Sequence, residues 1–126
     1  IDIHISIPPI DFYKDFSKND SMNSVQILDK VTQIRSIQKD RFKNNSIKCN
    51  SEMDVSAVGE FCNLSKIDAN WLKGVLSRLN YSARSYIKIL KLSRTIADLS
   101  FKENINKEHL SEAIQLRQLD RGIGLN

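Results

Sequence analysis

The strictest pattern lies at the start of the chain. Ile1, Ile3, Ile5 and Ile7 alternate with Asp2, His4 and Ser6, the period-two signature of a strand with one buried face. Pro8 and Pro9 stop it, because proline donates no ladder hydrogen bond. No later segment offers a strand partner, and a single strand cannot satisfy its own backbone. The reading that follows is a strand from a sheet supplied by preceding sequence, which also fits a chain that opens without an initiator Met. Residues 10–23 are mixed and polar, a linker with turn signals at Asn19, Asp20 and Ser21.

From Ser24 onward the spacing changes to three and four. Ile27, Leu28, Val31, Ile34 and Ile37 predict an amphipathic helix to about Phe42, with Lys30, Gln33, Lys39 and Asp40 on its wet side. Residues 43–53 read as a polar loop. Asp54 can cap a short helix to Cys62, with Val58 and Phe61 inward. Ser65 and Asp68 start a firmer helix to Leu79, whose stripe is Ile67, Trp71, Leu72, Val75, Leu76 and Leu79. Another follows Ser82 and runs to about Leu99, apolar at Tyr86, Ile89, Leu90, Ile96 and Ala97. Its polar stripe is Arg84, Lys88, Lys91, Thr95 and Asp98. Asn106 caps the last helix, expected to reach about Leu119 before Gly122 and Gly124 end it, with Ile105 and Leu110 at the staple positions. The fold class is therefore mainly α: a small antiparallel helical bundle over 24–126, preceded by one strand and a linker over 1–23.

Composition narrows the function. Four glycines and two prolines are few for an all-β fold. A net charge of +4 favours acidic partners, but the basic residues are scattered and no run forms a basic tail. Cys49 and Cys62 form no C-x-x-C pair, and with only His4 and His109 available a zinc site is not expected. Two reduced thiols in a cytoplasmic protein is the default reading, with no membrane span. The phosphate-loop pattern is absent, as are G-x-S-x-G and H-E-x-x-H, so no catalytic residue is assigned.

Arg84 is the most informative position. With Ser82 as cap it stands second in its helix, where a cation opposes the helix dipole. Backbone N–H groups at that end attract anions, and an arginine beside them can fork onto phosphate oxygens. Its plain reading is an exposed residue on a solvated face. Ser82 and Lys88, one turn on, are candidate supporting residues. Arg94 is spaced to pair with Asp98, and Arg35 and Arg41 read as surface residues. His109 covers the start of its helix, and Trp71 is a core anchor.

IDIHISIPPI at 1–10, VTQIRSIQKDRF at 31–42, LNYSARSYIKILKLSRTIADL at 79–99 and INKEHLSEAIQLRQLDR at 105–121 together resemble the C-terminal part of magnesium-chelatase-like AAA+ ATPases of the bacterial competence type, the ComM-like proteins. The resemblance implies that the opening strand is the last strand of the ATPase core. It makes the helices the lid over the nucleotide and Arg84 the sensor-2 residue that reaches the terminal phosphate. Where that family usually carries a small residue or glycine, this chain has Asn80 followed by Tyr81. ATP and Mg2+ would then be held by the whole protein, an ATPase and DNA-remodelling helicase, and not by this stretch alone. Its partners would be the upstream core, a hexameric ring and DNA. Two other readings stay open: a free-standing helical nucleic-acid-binding module, drawn from the charge and the Arg84, Lys88, Lys91 stripe, and a structural oligomerisation bundle.

Overall fold

The computed structural model describes residues 2–7, 9 and 21–124, with side chains as far as residue 118. Among the described residues it is mainly helical: α1 Ser24–Arg41, α2 Val55–Phe61, α3 Lys66–Arg78, α4 Ala83–Leu99 and α5 Lys107–Gly124, with a 3-10 turn at Asn50–Glu52. The helix starts are where the side chains of Asp54, Ser65, Ser82 and Asn106 accept first-turn N–H groups, as their types and positions predict. Asn23 adds a full capping box on α1 with Gln26. At α5 the reciprocal partner is a histidine: Asn106 N–H donates to His109 Nδ1 at 3.1 Å.

α4 is the hub. It meets α5, α1, α2 and the 3-10 turn. Ile89, Leu90, Ile96 and Ala97 enter the core with Leu72 and Leu76 of α3, Val58 of α2 and Leu110, Ala113 and Ile114 of α5. Ile105 and Leu110, the staple pair, are both buried. Trp71 packs partly into this core, and Lys107 Nζ stands 5.0 Å from its ring centroid, joining α3 to the start of α5.

Several expectations change. Ile27, Leu28 and Val31 remain 51%, 66% and 45% exposed, while Ile34 and Gln38 further along α1 are buried. The spacing marks a face able to be buried, but only the C-terminal part of α1 reaches α4. Ile67 likewise faces solvent, at the first turn of α3. The supposed polar loop at 43–53 contains two core anchors, Asn50 and Met53, and the adjoining Phe42 packs edge-on against Phe61 at 5.0 Å. α5 runs on through Gly122 to Gly124: glycine inside a helix costs about 1 kcal/mol and does not by itself end one.

The opening strand is not seen. Residues 2–7 form no strand, and Ile3, Ile5 and Ile7 are exposed; Ile1, Pro8 and most of the linker lie outside the described residues. The segment rests on the last two helices instead. His4 N–H donates to the Leu116 carbonyl at 3.0 Å, and Asp2 meets Lys88 and Arg117.

Candidate functional site

The turn between α3 and α4 decides where α4 begins. α3 ends in a Schellman motif: Asn80 N–H reaches the Ser77 carbonyl at 3.2 Å, and Tyr81 N–H the Leu76 carbonyl at 3.0 Å. Asn80 holds the left-handed conformation, φ 55°, that this motif demands. Asparagine tolerates it better than other side chains do, so Asn80 does the work of a glycine here.

Ser82 then caps α4, its Oγ accepting from Ser85 N–H at 3.2 Å. The other N–H groups of the first turn have no intrahelical acceptor and point out of the helix end. A shallow pocket of about 310 Å³ opens beside them, lined by Lys73, Ser77, Tyr81, Ser82, Ala83 and Tyr86. Arg84 is exposed and makes no hydrogen bond or ion pair among the described residues. Its guanidinium is thus available near a helix N-terminus; the hollow there is lined by the neighbouring Ser82 and Ala83 and by Lys73, and not by Arg84 itself. Lys73 was not singled out from the sequence. It lies eleven residues before Arg84 on another helix, and only the turn at Asn80 brings the two helix ends together.

The two supporting candidates divide. Ser82 belongs to this surface as the cap. Lys88 does not reach outward freely: its Nζ pairs with Asp2 Oδ1 at 3.3 Å. Lys91 Nζ donates to the Ser51 carbonyl at 3.2 Å. The Arg84, Lys88, Lys91 stripe is therefore not a continuous free basic face.

The far end of that stripe is not on the surface at all. Asp98 is buried, and its carboxylate takes Arg41 in a two-pronged pair, Arg94 Nη2 at 3.2 Å and Asn50 Nδ2 at 2.9 Å. Burial alone would raise the Asp98 pKa, but the hydrogen bonds from Arg41 and Asn50 and the two arginine charges hold it below the usual carboxylate value. Arg94 is the expected partner of Asp98, and it also donates to the Glu103 and Lys102 carbonyls at 2.7 and 2.8 Å, tying α4 to the loop that follows. Burial pushes the Arg94 pKa down from its ordinary value, with Asp98 opposing. Arg41, read as a surface residue, is part of this buried group. The available signal was its position, seven residues beyond Ile34 and three beyond Gln38 on one face of α1.

The two thiols differ in setting. Burial raises the Cys62 pKa to about 11. Cys49 is half-buried with Sγ 3.1 Å from Ser51 Oγ, and that contact, outweighing burial and aided by Arg35, lowers its pKa. No group of three or more potential metal ligands occurs among the described residues, and no described helix is long and apolar enough to cross a membrane.

Comparison with known proteins gives consistent matches. The family model for the C-terminal part of magnesium chelatase subunit ChlI matches residues 21–117. Competence protein ComM of Haemophilus influenzae is 38% identical over 98 residues, covering 78% of this chain and 18% of ComM. The uncharacterized protein YifB of Escherichia coli is 40% identical over 81 residues, 64% of this chain and 16% of YifB. YifB of Salmonella typhimurium is 36% identical over 74 residues, 59% of this chain and 15% of its own length. The aligned stretch thus spans less than a fifth of each of these relatives.

Proposed function

The chain belongs to the magnesium chelatase ChlI C-terminal family, and on that premise we propose that it is the helical lid of a magnesium-chelatase-like AAA+ ATPase, with Arg84 as the residue that senses the terminal phosphate of ATP. The observation that carries this reading is the state of Arg84: exposed, unpaired among the described residues, and at the start of the helix on which the whole core is built. An arginine without an internal partner, beside N–H groups without acceptors, is equipped for an anion that another domain brings.

In this account the preceding ATPase core holds ATP and Mg2+ and carries the catalytic groups. Residues 1–7 are the last strand of that core. ATP draws Arg84 to the γ-phosphate and the lid closes; hydrolysis removes the contact and the lid turns away. The contact differs between the two nucleotide states, and that difference is what couples chemistry to movement. α4 transmits it, because the buried Arg41, Asp98 and Arg94 group fixes its C-terminal half to α1 and to the loop before α5. A hexameric ring and action on DNA, as the competence-type resemblance implies, complete the proposal.

The test uses the polypeptide that joins the core to this lid. Arg84→Ala removes a charge-assisted contact of about 1.5–3 kcal/mol, so ATP turnover should fall by about 10- to 100-fold. Turnover equal to wild type contradicts the role. A nucleic-acid-binding module is the weaker reading, since Lys88 and Lys91 are already engaged within the chain.

A further inference from the structure

We propose that the surface shared by α4 and α5 is a docking site for the opening segment, and that Arg117 and Lys88 grip that segment through Asp2. This rests on the lid reading in one respect: the segment gripped is the end of the ATPase core.

The contact joins opposite ends of the chain. Arg117 Nη1 donates to the Asp2 carbonyl at 3.1 Å across 115 positions, and the same nitrogen lies 3.7 Å from Asp2 Oδ1. Lys88 approaches that carboxylate oxygen from α4 at 3.3 Å. Two residues further on, His4 N–H is held by the Leu116 carbonyl at 3.0 Å. Asp2 is thus met by two cations from two helices, and the backbone beside it is fixed to α5.

Arg117 explains why the site is built for an occupant. It is only 6% exposed, and Asp2 supplies its one carboxylate partner among the described residues. With the segment in place the guanidinium is covered and its charge is met by the Asp2 carbonyl and carboxylate, so the segment supplies both the cover and the counter-charge. Asp2 itself has a side chain 66% exposed, so it is not a core residue.

Lys88 stands one helical turn after Arg84 on α4. Gripping Asp2 therefore fixes the helix that carries Arg84 to the segment that leads in from the core. Lys88 and Arg117 act on the nucleotide only through this geometry: they are positioning residues that set how far Arg84 reaches.

The test is hydrogen exchange of the His4 amide in this chain, without nucleotide. In the wild type that amide should exchange at least about tenfold more slowly than an unstructured one. Arg117→Gln should release it to the unstructured rate and Asp2→Ala should speed it by about two- to fivefold, since the Asp2 carbonyl still accepts from Arg117, while the amides of Ile89 and Ala113 stay protected. Asp2→Glu should restore protection. If Arg117→Gln also strips Ala113, that variant reports the fold, and Asp2→Ala decides. A His4 amide that is unprotected in the wild type, or that exchanges at the wild-type rate in Asp2→Ala, overturns the proposal. No nucleotide enters this measurement, so its outcome is separate from that of Arg84→Ala.

Discussion

Arg41 and Asp98, 57 positions apart, meet in a two-pronged ion pair, with Nη1 2.8 Å from Oδ2 and Nη2 2.5 Å from Oδ1. The pair pins α1 to the hub helix. Asp98 also takes Arg94 and Asn50, so removing the carboxylate leaves two arginines near one another with no carboxylate partner among the described residues. Asp98→Ala should therefore destabilise the fold by about 3–5 kcal/mol, read as a lowered urea midpoint. A change under about 1 kcal/mol would place the pair among weak surface contacts.

The same carboxylate gives a pH dependence. Its folded pKa lies below the ordinary value, because the Arg41 and Asn50 hydrogen bonds and the arginine charges outweigh burial. The unfolded chain thus takes up this proton first as pH falls, near about 3.9. The stabilisation is fully present above that value and is lost as pH drops through the lower, folded one. Unfolding free energy measured between neutral pH and pH 3 should fall less steeply in Asp98→Asn than in the wild type.

Phe101 adopts a left-handed φ of 54° where α4 ends, and its Lys102 neighbour closes a Schellman motif onto the Ala97 carbonyl at 2.9 Å. That conformation costs a non-glycine residue about 1–2 kcal/mol, and Phe101 is 58% exposed, so little burial offsets it. Phe101→Gly should raise stability by about 1 kcal/mol in thermal or urea unfolding. A loss of stability would show that the ring contributes packing the geometry does not reveal.

Cys49 and Cys62 should separate by reactivity. The thiolate is the reacting form, and Cys49 has its pKa lowered beside Ser51 and Arg35, while the buried Cys62 is raised to about 11. Iodoacetamide at pH 8 should modify Cys49 first, and Cys49→Ser should leave a chain that labels slowly until it is unfolded. Equal rates for the two sites would contradict this.

What the sequence made legible was local. The cap at Ser82 and the reach of α4 to Leu99 follow from a hydroxyl and an apolar spacing a few residues wide. Arg94 and Asp98 could be paired because they sit one turn apart on one helix. Arg41 with Asp98 and Arg117 with Asp2 could not, since their meeting depends on how separate helices pack. Ile27, Leu28 and Val31 show the complementary limit. Periodicity identifies an apolar face, but it does not state what will cover it.

The central claim concerns one phosphate. The direct measurement is the affinity of the core-plus-lid polypeptide for ATP and for ADP, in the wild type and in Arg84→Ala. The account predicts that the substitution weakens ATP binding by about tenfold or more and leaves ADP binding unchanged. Equal losses for both nucleotides, or none for either, would contradict it.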